Sequence, residues 1–220
     1  MKSWLEEYYP EVSAAGALGA ALKVAAERRA CEVGPVDPAS SEVRIITERG
    51  VVRVGLAAGR RLFMVGIHTP GFTWATGSTD DLGLLVEAVA SWKAGMPLDA
   101  FESRFDFMEL DEFARPLEAR DPAPLQWSNL LSSAFYAKQW GLLNRVHGDG
   151  ALRRLFPTVS HGTVRLRVDP MDGESRHLLV REAGPGLYEL RAVGDPASDW
   201  VTVGADDVVA RLRGVLAGDR

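Results

Sequence analysis

The residues of this sequence that are best suited to proton transfer are His161, in the stretch LFPTVSHGTVRL, and His68. An imidazole titrates near neutral pH, so a histidine that reaches a cleft can act as a general acid or base. The pattern predicts His161 at the start of a strand, where alternation would place His161, Thr163 and Arg165 on one face. The candidate catalytic residues are therefore His161, His68 and Arg165, with Arg165 or Tyr188 orienting a substrate. The alternative at His161 is a histidine that fixes the turn after a proline, and the alternative at His68 is a satisfied structural histidine.

The sequence lacks the motifs of the common metal, nucleotide and hydrolase sites. Its histidines are scattered, and it contains no His-Glu-x-x-His, no cysteine pair and no calcium-loop spacing. It also contains no glycine-rich phosphate loop and no Gly-x-Ser-x-Gly elbow. Ser160 and His161 are neighbours, and on an extended strand they would face opposite sides and could not pair. We therefore expect neither a metal nor a cofactor.

Composition and charge narrow the classes of partner. The 220 residues carry 25 Lys and Arg against 30 Asp and Glu, a formal net charge of -5. Nucleic-acid binding needs clustered basic side chains, so we expect no nucleic-acid partner. No stretch is apolar enough to span a bilayer or to act as a signal peptide, and Cys31 is the only cysteine. These features predict a cytoplasmic protein that contacts no membrane, and they leave its oligomeric state open.

Hydrophobic patterning predicts an α+β fold in which helices flank antiparallel strands. In the first half, a helix over 12–31 precedes strands at 41–48, 51–57, 61–68 and 72–76, and a second helix follows with Ser78 as its N-cap. In the second half, a long helix begins near 125, and strands at 158–169, 176–183, 187–194 and 199–203 precede a closing helix. Between the halves, residues 96–124 are acidic and punctuated by prolines.

One frame, Trp-x-Thr-x-x-x-Asp-Asp, occurs twice, at Trp74–Asp81 and at Trp200–Asp207. The same offset of 126 positions aligns hydrophobic residues, such as Met64 with Leu190. We infer two tandem helix–four-strand antiparallel meander–helix units, related by a pseudo-twofold axis. They would span 1–95 and 125–220, with 96–124 as an acidic connector. The frame itself predicts core packing and capping, because acidic residues complement a helix N-terminus.

Aromatic residues near these elements are candidates for ligand contact, because large rings contribute much of the buried area of a binding site. The candidate ligand-binding residues are Trp74, Trp92, Trp200 and Tyr188.

Two stretches, TWATGSTDDLGLLVEAVASWKAG and LRRLFPTVSHGTVRL, resemble an actinobacterial family of unknown function whose members are often labelled natural-product biosynthesis proteins. The resemblance covers roughly residues 70–170, and it departs at Leu166, where the family pattern has an aromatic residue. The resemblance implies a role near a biosynthetic pathway. It supplies no catalytic residues.

Two functions follow as hypotheses. The first is an accessory or binding protein in a bacterial natural-product pathway, which holds a peptide, a partner enzyme or a small-molecule intermediate. The alternative is a cofactor-independent biosynthetic enzyme, of the cyclase or isomerase type, with His161 or His68 as its acid-base group.

Overall fold

The computed structural model describes residues 3–172, 174–194 and 199–218. The chain divides into two compact units, which we call unit 1 (Met1–Glu118) and unit 2 (Ala119–Arg220). Each unit combines helices with an antiparallel five-stranded sheet, so the predicted α+β class is confirmed.

Unit 1 contains a sheet whose strands lie side by side in chain order, each antiparallel to its neighbour. Its elements are α1 (Trp4–Tyr8), α2 (Pro10–Ala15), α3 (Leu18–Arg28), β1 (Val43–Thr47), β2 (Gly50–Leu56), β3 (Phe63–Thr69), β4 (Phe72–Thr79), α4 (Leu82–Lys93), α5 (Leu98–Arg104), β5 (Met108–Leu110) and α6 (Ala114–Glu118). Along β1, Val43 and Ile45 are buried while Arg44 and Ile46 are exposed. This alternation gives the sheet a core face and an outer face.

Unit 2 has the same sheet connectivity, with neighbouring strands again consecutive in the chain. Its elements are α7 (Ala123–Ser132), the 3₁₀ helix η1 (Ala134–Gln139), α8 (Trp140–His147), the 3₁₀ helix η2 (Leu152–Arg154), β6 (Phe156–Ser160), β7 (Thr163–Arg167), β8 (His177–Gly184), β9 (Leu187–Val193), β10 (Val201–Gly204) and α9 (Val208–Ala217). Its core packs the inner faces of β7, β8 and β9 against α7, α8 and α9.

Each sheet has five strands, whereas the sequence pattern predicted four. In unit 1 the additional strand is β5, which comes from the predicted connector and pairs with β4. In unit 2 the predicted strand over 158–169 is a hairpin, β6 and β7, closed by His161 and Gly162. Both turn residues have positive φ, 50° and 77°. A two-residue hairpin turn with this geometry reverses the chain within what otherwise resembles one continuous strand.

The structure also divides the predicted connector and the predicted long helix into shorter parts. Residues 96–118 belong to unit 1, and residues 119–124 belong to unit 2. The helix predicted from residue 125 ends at Ser132, because Ser133 has an extended backbone, and η1 and α8 follow it.

The duplicated frame leads into a helix in each unit. Helix α4 begins at Leu82 and α9 at Val208, with Asp81 and Asp207 as the N-cap residues. The prediction of Ser78 as an N-cap is wrong, because Ser78 lies in β4 and the Asp81 carboxylate accepts from the Leu84 N–H. Met64 is 46% exposed and its aligned residue Leu190 only 2%. Met64 therefore faces outward and Leu190 faces the core. Since a shift of one residue exchanges the two faces of a strand, the offset of 126 positions without a gap does not align equivalent residues of β3 and β9. The duplication and its pseudo-twofold axis stay predictions.

Among residues 3–172, 174–194 and 199–218, no helix is both long enough and apolar enough to cross a lipid bilayer.

Candidate functional site

The outer face of the unit 1 sheet carries a row of directly paired residues that crosses all five strands. From β1 to β5 the row consists of Arg44, Arg53, Gly66, Thr76 and Glu109. Directly paired residues on one face have Cβ atoms about 5 Å apart. Gly66 has no side chain, so it leaves a gap in the centre of the row between an arginine and a threonine.

The His68 ring is directed into this gap. Its Nδ1 atom is hydrogen-bonded to the Thr73 hydroxyl at 3.1 Å. Its Nε2 atom lies over Gly66, where any side chain on that residue would collide with it. The hydrogen bond to Thr73 engages Nδ1 and holds the orientation of the ring. The second ring nitrogen, Nε2, lies on the outer face of the sheet.

A β-bulge explains why Thr73 faces His68. The register between β3 and β4 shifts so that Ile67 pairs with Ala75 and His68 pairs with Thr73, which leaves Trp74 as the additional residue. A bulge changes the direction of the side chains beside it. Trp74 is therefore buried in the core while Thr73 lies beside His68.

A groove of about 1100 Å³ lies over this face. Its polar lining includes Arg53, His68 and Thr76, and its apolar lining includes side chains from α1, β3 and the segment before β5, namely Trp4, Leu5, Met64 and Phe107. Gly55 contributes part of the floor. A Cβ atom added at Gly55 would meet only the Met64 Cε atom, at 3.9 Å. The glycine at position 55 thus leaves this part of the groove open.

Tyr9 attaches the N-terminal helices to the end of the groove. The Tyr9 side chain is fully buried, and its hydroxyl oxygen accepts from the Leu62 N–H at 2.9 Å. The hydroxyl also lies within hydrogen-bond distance of three backbone carbonyls, those of Ala57, Arg60 and Leu62. This places α1 and its tryptophan, Trp4, at the edge of the outer face.

An ion pair strengthens this attachment. Both oxygens of the Glu11 carboxylate accept from the Arg61 guanidinium, at 2.6 and 2.9 Å. Burial alone would raise the pKa of Glu11, but the hydrogen bonds and charge of Arg61 outweigh it, so the pKa lies below its usual value. The hydrogen bond to Glu11 raises the pKa of Arg61.

The structure places His161 in a different setting from His68. His161 is exposed in the β6–β7 turn, and its Nδ1 atom is 3.0 Å from the Ser160 Oγ atom. The prediction that these neighbours cannot pair is wrong, because the left-handed backbone at His161 is not a strand conformation. The same left-handed backbone places His161 outside the strand, so His161 does not share a face with Thr163 and Arg165 as predicted. In the described part of the chain, the His161 ring has no other hydrogen-bond partner, so no acidic group orients it.

A cavity of about 700 Å³ lies beside this turn, between it and η1. Its walls include Phe135, Tyr136 and Gln139. A serine and a histidine in contact are two of the groups that acyl transfer uses, but the reaction also needs donors for the developing oxyanion. A triad also contains an acidic residue bonded to the histidine, and in the described residues the His161 ring is hydrogen-bonded to Ser160 only.

The outer face of the unit 2 sheet is rich in arginine. One row places Leu179 between Arg165 and Arg191. In the next row, Arg181 forms an ion pair with Glu189 at 2.7 Å and stacks over the Trp200 ring at 4.4 Å. Trp200, a predicted ligand contact, is therefore half-buried and covered by Arg181.

Three predicted ligand-binding residues lie in the cores of the two units. Trp74 and Trp92 are buried in unit 1, where the Arg49 guanidinium lies 4.1 Å from the centre of the Trp92 ring. Tyr188 is buried in the core of unit 2. Burial keeps these rings from surface ligands, so their positions do not fit the predicted contacts. Sequence reasoning missed Arg53, Gly66 and Thr76, although the alternation of β2, β3 and β4 contains the signal that they share a face.

The fold and the groove together define an α+β protein with a ligand-sized depression on an open sheet face. No family model, no curated protein and no solved structure matches this chain. Within the described residues, no group of three or more His, Cys, Asp or Glu side chains is arranged to hold a metal ion.

Proposed function

We propose that this protein is a binding protein that holds a small organic molecule in the groove on the outer face of the unit 1 sheet. The observation that carries the proposal is the groove itself. Its volume of about 1100 Å³ is comparable to the pockets of roughly 300–1,000 Å³ that hold drug-sized ligands. Its apolar lining with a few convergent polar groups is also typical of such sites.

We propose further that the molecule is an intermediate of a natural-product pathway. The support for this role is the resemblance of two stretches of the sequence to a family with that label. Deleting the gene in its host and comparing metabolites tests the role, because loss of a carrier or accessory protein lowers the yield of a pathway product.

Binding in the groove is tested by filling it. The neutral fluorophore N-phenyl-1-naphthylamine is a suitable probe, because its emission rises in an apolar site. The Gly55→Leu variant places a side chain in the groove, with only the Met64 Cε atom near its Cβ. We expect the substitution to weaken binding of the probe at least tenfold, since the leucine occupies the space that the probe needs.

The matched control is Gly184→Leu, which adds the same side chain to β8 in unit 2. A Cβ atom at Gly184 meets no atom within 4 Å. This variant retains the affinity of the wild-type protein if the groove is the site. Equal loss in both variants, or no loss in either, contradicts the proposal.

The second candidate function is a cofactor-independent enzyme of the cyclase or isomerase type. The observation that favours it is the bond from His68 Nδ1 to Thr73, which holds the ring with Nε2 over Gly66 in the lining of the groove. A histidine oriented in this way can take a proton from a bound molecule and return it at another atom.

Incubation of the purified protein with the intermediate that accumulates in a deletion strain separates the two functions. The enzyme requires conversion by the wild-type protein and its loss in His68→Gln. The binding protein requires that the wild-type protein binds the intermediate and returns it unchanged.

A further inference from the structure

We infer that the groove selects a molecule with an anionic head group and an apolar body, and that the head group binds against the His68 ring, between Arg53 and Thr76. This inference rests on the proposed function and names the ligand class of the same groove. The head group is an oxyanion, a carboxylate or a phosphate, because both accept hydrogen bonds from a guanidinium in the same way.

The charges of the row support an anion. Arg44 and Arg53 are direct partners on neighbouring strands, and like charges in this position destabilise a sheet. In the part of the chain that the structure describes, neither guanidinium lies within ion-pair distance of a carboxylate. A bound oxyanion would supply the missing negative charge at this place.

Three groups around Gly66 have hydrogen atoms to donate. Arg53 is the direct partner of Gly66 on one side, and Thr76 is its direct partner on the other. His68 Nε2 lies over the same glycine, and it carries a proton when the Thr73 hydroxyl donates to Nδ1. An oxyanion that contacts His68 Nε2 therefore lies among a guanidinium, a hydroxyl and an imidazole N–H.

Away from Gly66, the lining of the groove is suited to an apolar body. Trp4 and Met64 are large apolar side chains that are about half exposed, at 48% and 46%. A ligand that covers them removes apolar surface from water. Two carboxylates, Glu42 and Glu109, also border the groove. Glu109 lies three strands from Arg53, roughly 14 Å away. Glu42 immediately precedes β1 and lies outside the row that contains Arg53. The row therefore carries its two arginines at one end and its carboxylate at the other.

A pair of probes that differ only in charge tests the inference. 1-Anilinonaphthalene-8-sulfonate has an aromatic body with a sulfonate, and N-phenyl-1-naphthylamine has the same body without it. We expect the wild-type protein to bind the anionic probe more tightly. Arg53→Gln should weaken binding of the anionic probe about tenfold or more and change that of the neutral probe less than about twofold. Arg191→Gln, which removes one charge from the unit 2 sheet, should change neither affinity.

The outcomes separate failure of this inference from failure of the proposed function. If Gly55→Leu weakens binding of the neutral probe and Arg53→Gln changes the affinity for both probes equally, the groove binds ligands but the proposed anion site is contradicted. If Gly55→Leu leaves both probes unaffected, the proposed function fails, and the anion site fails with it. Displacement of the anionic probe by decanoate or by decyl phosphate supports the inference and tells which oxyanion is preferred. Displacement by neither contradicts it.

Discussion

The outer faces of the two sheets both carry arginines, but the residues paired with those arginines differ between the units. In unit 1, Gly66 stands beside Arg53, and the His68 imidazole lies over it. In unit 2, Leu179 occupies the position between Arg165 and Arg191, and Arg181 is already paired with Glu189. The residue at the middle of a cross-strand row therefore decides which groups the face presents. Glycine admits the His68 ring, whose Nε2 atom a ligand can contact, and leucine covers the strand with apolar atoms.

The two candidate histidines differ in the same way. His68 is on a strand, and a neighbouring threonine directs its ring into a groove. His161 is in a tight turn, exposed, and bonded to the serine before it. A histidine positioned by a regular element keeps one geometry, and this property makes His68 the better candidate for contact with a ligand.

The largest expected difference concerns the tryptophans of the two units. Trp92 is fully buried, so Trp92→Ala should lower the free energy of unfolding of unit 1 by about 3–5 kcal/mol. Trp200→Ala should lower the free energy of unfolding by less than about 1 kcal/mol, because Trp200 is half-buried and an exposed arginine stacks over its ring. Urea unfolding of the full chain, followed by circular dichroism, measures both. Equal costs would show that Trp200 is as much a core residue as Trp92.

Thr73→Val tests the orientation of His68. The substitution removes the hydroxyl that bonds to Nδ1 and should cost about 1 kcal/mol of stability. The ring nitrogen signals of His68 in NMR spectra should also move, because its tautomer is no longer fixed. Ser160→Ala is the counterpart in unit 2. It removes an exposed hydroxyl and should cost less than about 0.5 kcal/mol. Unchanged His68 signals in Thr73→Val would contradict the assigned hydrogen bond.

The Glu11–Arg61 ion pair should make the attachment of α2 sensitive to acid. The pKa of Glu11 is lowered in the folded protein, so its stabilisation is complete above the unfolded value near 4.5 and is lost as the pH falls through the folded value. We expect Glu11→Gln to be less stable than the wild-type protein by about 0.5–1 kcal/mol at neutral pH. The difference should shrink as the pH falls below 4.5. Urea unfolding over a pH series measures it, and a constant difference would contradict the ion pair.

The smallest expected effect is a gain of stability at the unit 2 turn. His161 has a φ of 50°, a left-handed conformation that costs energy for a residue with a side chain. His161→Gly relieves this cost and increases the flexibility of the unfolded chain, so the net gain should be about 0.5 kcal/mol. A shift in the melting temperature measures it. A clear loss of stability would show that the His161 side chain supports the hairpin.

The sequence was sufficient for the fold class and for most elements of unit 1, because alternation in β1, β2 and β3 and the apolar stripe of α4 are strong local signals. It was insufficient for the β6–β7 hairpin, whose turn is His161-Gly162, a pair outside the common turn dipeptides. It also missed β5, a short strand whose pairing with β4 depends on contacts between distant residues. The offset of 126 positions aligned the two frames, but it could not reveal that Met64 and Leu190 face opposite sides.

The candidate site was only partly predictable for a related reason. His68 could be identified from its residue type alone, because any histidine is a candidate for proton transfer. The groove depends on cross-strand register, which joins Arg53, Gly66 and Thr76 across three strands. Three of the four predicted aromatic contacts are buried in cores, namely Trp74, Trp92 and Tyr188. Large rings stabilise cores as well as bound ligands, and the sequence pattern does not separate the two uses.

The central claim is that a ligand binds the outer face of the unit 1 sheet and not that of the unit 2 sheet. Methyl NMR of the full chain, labelled at methionine and leucine, tests this claim most directly during titration with 1-anilinonaphthalene-8-sulfonate. We expect the signals of Met64 and Leu5, which line the groove, to shift progressively until saturation, while that of Leu179 stays in place. A shift at Leu179 without one at Met64 would contradict it.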